Sequence, residues 1–314
     1  MRQWWVLCLI ATLGGCTSAI VGADDRSLGD RAGTREQLAR FPLRTVKVND
    51  VSLAYVEHGS GLPVVLVHGS VADYRSGASQ IGPLARRFRV IAYSRRYHPP
   101  SSPPGAGADA SVDRQVEDLA ALMARLRLAP AHLVGHSYGG TVAVAFALRH
   151  PDRVRSLVLA DPGLGSVMAD TPYGAAQATE AQAIRREMAA AFGSGNAERI
   201  VRTYGERVAP GTFDRLDPAA RATLLENTRA FELDLTAPRF QVTCADLAGI
   251  TVPVLVIRGS RSPEGLRRIA DTAAACIPAG RLVELPDATH WMHLEQPERL
   301  NDILLEFLTN QQRG

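Results

Sequence analysis

The chain carries one lysine, Lys47, and its other basic residues are arginine, a bias to which we assign no mechanism. Charge of neither sign is in excess, since 35 basic residues face 32 acidic ones for a formal net charge of +3. That excludes the basic stripe of a nucleic-acid binder. Hydrophobic residues at 46% and charged residues at 21% also exclude an unfolded chain, so a small-molecule partner is expected. No C-x-x-C and no H-E-x-x-H occurs, so the sequence offers no metal-ligand spacing and we expect neither metal nor cofactor. The apolar run from Trp4 to Leu13 falls short of the roughly 20 residues that cross a bilayer as a helix.

That run has another use. Arg2, the apolar core and the small residues after it follow the order of a secretory signal. Leu13-Gly14-Gly15-Cys16 resembles the bacterial lipobox, in which the cysteine is acylated and becomes the first mature residue. The resemblance implies an exported protein held to a membrane of the bacterial envelope through Cys16; an ordinary signal peptide cleaved nearby is the alternative. Residues 1–16 are therefore expected to be a signal segment and residues 17–38 a polar tether. With Cys8 in the signal and Cys16 lipidated, Cys244 and Cys276 remain. An exported chain permits their pairing, but two buried thiols are the expectation.

From Arg44 onward, strand-like and helix-like stretches alternate. Residues 51–56, 63–67, 89–93, 131–134 and 154–160 read as strands, with helices over residues 112–126 and 139–150. Continuously apolar strands such as Val64-Val65-Leu66-Val67 belong in a parallel sheet covered on both faces. The expected fold class is α/β, a doubly wound and mostly parallel sheet. Residues 163–248 break the alternation with helix-like stretches around residues 180–192, 197–208 and 221–232 and no strand, and it resumes at residues 252–257. We expect a core of residues 39–162 and 249–314, with residues 163–248 as a helical cap over the strand ends, where open α/β sheets bind ligands.

The most informative feature is Gly135-His136-Ser137-Tyr138-Gly139, a G-x-S-x-G turn between the strand at residues 131–134 and the following helix. A serine on a tight strand-to-helix turn is how an α/β sheet presents a hydroxyl nucleophile, and the helix N-terminus points amides at developing negative charge. His68-Gly69 follows an earlier strand, and His290-Trp291-Met292-His293-Leu294-Glu295-Gln296-Pro297-Glu298 comes near the end. These three motifs, in this order, resemble the α/β-hydrolase family over residues 46–307.

The resemblance implies that Ser137 is the nucleophile and His290 the base, with His293 packing or capping at the last helix. It implies an oxyanion hole from the backbone amides of Tyr138 and Ser70, with His68 bracing that loop. A serine nucleophile sets aside epoxide hydrolase and haloalkane dehalogenase chemistry, which uses aspartate at that position.

This sequence departs from the family pattern in three places. Thr289 stands where many relatives have glycine. Relatives usually carry the triad acid just after the strand ending near Ile257, whereas here the chain reads Gly259-Ser260-Arg261-Ser262-Pro263-Glu264. Asp161, at the end of the neighbouring strand, is the leading candidate for the acid, with Glu264 the runner-up and a turn-shaping role for Asp161 the alternative. Ser94-Arg95-Arg96-Tyr97-His98 replaces the usual Asp-x-Arg-Gly-x-Gly-x-Ser loop. Its arginines suit either acidic-substrate recognition or structural ion pairs, and Tyr97 and His98 either line the pocket or sit in a solvated loop.

The sequence thus reads as a serine hydrolase of small or medium carboxylic esters working through an acyl-enzyme. Other Ser-His-acid chemistry on the same fold, or a non-catalytic ligand-binding protein, are the alternatives.

Overall fold

The computed structural model describes residue 38, residues 40–101 and residues 109–312. The expected signal segment with Cys16, and the expected tether apart from Leu38, lie outside the described residues.

Eight strands form one sheet: β1 (Arg44–Val48), β2 (Val51–His58), β3 (Pro63–Val67), β4 (Arg89–Tyr93), β5 (Ala131–His136), β6 (Val154–Ala160), β7 (Val254–Gly259) and β8 (Gly280–Leu285). Their spatial order is β1-β2-β4-β3-β5-β6-β7-β8. β2 runs antiparallel to both β1 and β4, and every other pairing is parallel. The doubly wound sheet read from the sequence is therefore present, with an antiparallel edge added by β1 and β2.

Side-chain alternation assigns the two faces. Val65, Val67, Leu133, Leu157, Leu159 and Val256 point into one core, which is closed by the helices Val112–Leu126, Tyr138–Arg149 and Glu264–Cys276. Val64, Leu66, Val158, Ala160, Leu255 and Ile257 point into the other, beneath the helices Ala78–Ala85 and Pro297–Asn310. Burial on both faces is why these strands are continuously apolar.

The chain between Ala160 and Val254 contains helices and no strand. The helices Pro172–Gly193, Ala197–Val208, Pro218–Glu226 and Thr228–Thr236 enclose a core of their own around Met188, Ile200, Val201, Phe213 and Phe231. Val71 and Trp291 join it from loops beyond the sheet, so these helices lie over the strand ends. Cys244 and Cys276 form a disulfide, with Cα atoms 5.1 Å apart, that ties the end of this helical segment to the helix Glu264–Cys276. This corrects the expectation of two thiols. The two residues lie 32 apart in the chain, and spacing alone carries no information on spatial proximity.

A buried charge network docks the inserted helices. Arg95 Nη2 donates to Asp234 Oδ2 at 2.7 Å, and its Nη1 donates to Gln115 Oε1. His98 Nε2 lies 3.4 Å from the same Asp234 oxygen, and its Nδ1 is 2.9 Å from Asn227 Oδ1. Asn227 Nδ2 in turn donates to Asp73 Oδ2 at 2.7 Å. Arg96 pairs with Asp118 at 2.6 Å and with Asp50 at 3.0 Å. Of the two roles open to these arginines, the structural one is observed, and His98 is buried rather than solvated.

Burial by itself would keep the Asp234 carboxyl neutral. The Arg95 guanidinium and His98 outweigh it and lower the pKa to about 2. A carboxylate with a folded-state pKa below its unfolded value contributes stability above the unfolded pKa and loses it as the pH falls through the folded one. Asp234→Asn should cost about 3–5 kcal/mol near neutrality, because it leaves Arg95 buried without its counter-charge. The stability gap between wild type and variant should narrow as the pH falls from about 4 towards 2. Denaturant unfolding across that range checks both points, and a gap that is absent at pH 7, or flat down to pH 2, would contradict this account.

Candidate active site

The turn after β5 places Ser137 at φ +54° and ψ −122°, a left-handed conformation costly for a residue with a side chain. Two close approaches make it so tight. A Cβ on Gly139 would sit 2.0 Å from the Val67 carbonyl oxygen, and one on Gly135 would sit 2.6 Å from the Gly139 carbonyl oxygen. Both positions require glycine. Ser137 N–H donates to the Ala160 carbonyl at 3.0 Å, and its carbonyl accepts Gly163 N–H at 2.9 Å. The turn is thereby fastened to the end of β6.

Those same bonds bring up Asp161, which is fully buried at φ +40°. Its N–H donates to the Ile257 carbonyl of β7 at 2.8 Å. The structure brings together Ser137, His290 and Asp161. Ser137 Oγ lies 2.9 Å from His290 Nε2, and His290 Nδ1 lies 3.3 Å from Asp161 Oδ2. Glu264 does not join them; it is exposed and pairs with Arg268 one helical turn on, at 2.7 Å.

Ser262 is the residue that the sequence reading undervalued. Its hydroxyl donates to Asp161 Oδ2 at 2.5 Å, and the Gly259 amide donates to Oδ1 at 3.4 Å. The loop in which relatives usually carry the acid here supplies donors to a carboxylate on the adjacent strand.

His290 is held through its backbone. His136 Nε2 lies 2.7 Å from the His290 carbonyl, an acceptor, so His136 donates from Nε2. Burial, reinforced by His290 and His293, keeps the His136 pKa well below its ordinary value, so the ring is neutral. His293 packs 4.7 Å from the His136 ring, and burial followed by His290 lowers its pKa to about 4. Thr289 N–H and Oγ1 donate to Glu295 Oε2 at 2.6 and 2.8 Å, while Thr212 from the inserted segment donates to Oε1 at 2.8 Å. The threonine in place of glycine thus anchors the loop that carries His290. Glu295 was missed because a buried carboxylate beside a helix looks like a solvated one in sequence.

The loop after β3 is braced as the resemblance implies. His68 Nε2 accepts Arg95 N–H at 2.9 Å, which leaves Nδ1–H to donate to the Gly69 carbonyl at 2.7 Å. Burial first, then Arg95, holds the His68 pKa well below its ordinary value. Arg95 also donates to the His68 and Gly69 carbonyls at 3.2 and 3.1 Å and lies 4.9 Å over the Tyr138 ring. Their carbonyls point to Arg95, and Ser70 lines a small cavity with Ser137 and His290.

Tyr204, on the helix Ala197–Val208, lines that cavity too. Burial raises its phenol to a pKa of about 12, opposed by a hydrogen bond with Ser137, so a neutral hydroxyl faces the serine. The inserted helices supply it, and a lone tyrosine between Thr203 and Gly205 on a helix-like stretch gave no signal in sequence. Among the described residues no group of histidine, cysteine and carboxylate side chains could hold a metal ion.

Comparison with known proteins agrees with this geometry. The model of the alpha/beta hydrolase family matches residues 64–303. The chain is 28% identical over 285 residues to 2-(acetamidomethylene)succinate hydrolase of Mesorhizobium japonicum, covering 86% of this chain and 95% of that one. It is 27% identical over 266 residues to 2-hydroxymuconate semialdehyde hydrolase of Pseudomonas putida, covering 80% and 89%. A thermophilic esterase from Thermogutta terrifontis superposes with a TM-score of 0.65 at 28% identity, covering 85% of this chain and 99% of that one. With a family match spanning most of its length and a serine on the strained turn between β5 and the next helix, the chain belongs to the alpha/beta hydrolase family.

Proposed function

We propose that this hydrolase cleaves carboxylic esters of small or medium molecules through an acyl-enzyme on Ser137. The supporting observation is the continuous hydrogen-bonded line from Ser137 Oγ through both nitrogens of His290 to Asp161, at 2.9 and 3.3 Å. Ser137 attacks the ester carbonyl while His290 Nε2 takes its proton. The imidazolium is stabilised by Asp161, whose charge is in turn held by Ser262 and Gly259. The tetrahedral oxyanion lies against the amides of Ser70 and Tyr138. Collapse expels the alcohol, which receives the proton from His290, and water repeats the sequence to release the acid. The similarity to an esterase at 28% identity supports the ester reading, and the two curated relatives show how far chemistry varies on this scaffold.

Ser137→Ala should stay folded and lose roughly four to six orders of magnitude in turnover of 4-nitrophenyl esters. It should also lose labelling by a fluorophosphonate probe. Asp161→Asn should keep the fold and drop turnover on the order of 10³–10⁴, since the amide neither stabilises the imidazolium nor enforces the productive tautomer. Glu264→Gln should remain close to wild type. A crippled Glu264 variant beside an active Asp161 variant would move the acid. A labelled Ser137 with no turnover of any ester would point to other bonds as the substrate.

We also propose that the protein is exported and lipid-anchored through Cys16. The Cys244–Cys276 disulfide supports export, since such bonds persist outside the reducing cytoplasm. Expressed with its own leader in a bacterium, the protein should partition into detergent, and Cys16→Ser should abolish this. Equal partitioning and an unchanged amino-terminal mass would rule the anchor out.

A further inference from the structure

One cavity holds the proposed nucleophile, and two larger ones border it. The one holding Ser137 and His290 is walled by Tyr204, which also lines a larger, open space under the inserted helices. Ser70 joins the first cavity to another that runs past Tyr138 and Thr141. The two larger spaces share Gly165, Ala169 and Arg239. Arg239 thus lines both of the larger spaces that border the serine's cavity.

The charges lining the largest cavity are unequally matched. Arg207 pairs with Glu187 at 2.5 Å and Glu264 with Arg268 at 2.7 Å, while the Glu206 carboxylate accepts the Gly211 amide at 3.2 and 3.3 Å. No carboxylate or carbonyl partner is found among the described residues for the side chains of Arg239 and Arg261. Arg75, Arg95, Arg96, Arg114 and Arg202 all have pKa values raised by neighbouring carboxylates. Arg239 differs from these arginines: its pKa is lowered, first by burial and then by the Arg185 guanidinium. Arg239 is solvent-accessible, beside another cation and without a counter-charge of its own, so a carboxylate reaching it from the cavity would meet an unshared guanidinium.

We propose that the substrate carries a carboxylate on the part that extends from the ester into these larger spaces, and that Arg239 binds it, with Arg261 adding positive charge from the same cavity. The inference rests on the ester-hydrolase reading and narrows it to half-esters of dicarboxylic acids or esters of equivalent charge.

The test compares mono-(4-nitrophenyl) adipate with 4-nitrophenyl hexanoate, which share chain length and differ in the terminal charge. For wild type, kcat/KM should be higher for the adipate and should fall with added salt for that substrate alone. Arg239→Gln should lower kcat/KM for the adipate roughly tenfold or more, mainly through KM, and leave the hexanoate within about twofold. Arg239→Lys should recover part of the loss. In parallel, free adipate should bind Ser137→Ala by calorimetry and bind the Ser137→Ala/Arg239→Gln double variant at least about tenfold more weakly. If neither ester is turned over, the ester reading fails while the binding comparison still decides the role of Arg239. Equal losses on both substrates, or adipate binding indifferent to Arg239, would overturn the proposal.

Discussion

The structure turns on the backbone contact beneath Ser137. Because Gly139 meets the Val67 carbonyl and Gly135 meets Gly139, the helix Tyr138–Arg149 enters the sheet more closely than any side chain would allow. The cost is a serine in left-handed conformation, on the order of 1–3 kcal/mol. The turn is held by bonds to Ala160 and Gly163, which are also the residues on either side of Asp161 and Pro162. The geometry that exposes the hydroxyl and the geometry that aims the carboxylate therefore share the same few hydrogen bonds, and neither is adjustable alone.

This explains how a carboxylate on β6 reaches His290 where the proposed mechanism needs an acid. The strands are neighbours, in register from Leu157 opposite Val254 to Ala160 opposite Ile257, and adjacent strands lie only about 5 Å apart. Asp161 reaches the same ring nitrogen from one strand over. The vacated position is not idle, since Ser262 and Gly259 satisfy the carboxylate lone pairs that His290 leaves free. A buried carboxylate with too few donors would take up a proton and lose its effect on the imidazole.

How much of this was legible in the sequence follows from how local each feature is. The parallel strands announced themselves because double-sided burial leaves a continuous apolar run, and the turn at Ser137 because sterics demand glycine at fixed offsets. β1, with Arg44 and Thr45 exposed, carries no such run and went unread. The helix Ala78–Ala85 was missed as well, being short, glycine-bearing and interrupted by Pro83. The stretch at residues 221–232, read as one helix, is two that meet at Asn227, whose side chain is spent on Asp73 and His98. Pairings between separate elements, such as Cys244 with Cys276 or Thr212 with Glu295, depend on the finished fold and leave no periodic trace.

The Arg95 network marks the limit between fixed and variable parts of the molecule. One guanidinium grips the carbonyls of His68 and Gly69 on the core side and Asp234 on the helical side, so docking the inserted helices and shaping the loop beside Ser137 are a single event. A charge buried this deeply is tolerated only when its donors and acceptors are nearly all met, which ties the position of the helices to the integrity of the site. Beyond that anchor the lining is built from side chains such as Met168, Met188, Tyr173 and Ile184, which carry no comparable constraint. On the proposed function, chemistry and specificity would fall on different parts of the chain: the sheet ends and their loops hold Ser137, His290 and Asp161, while the inserted helices line the space a substrate would enter.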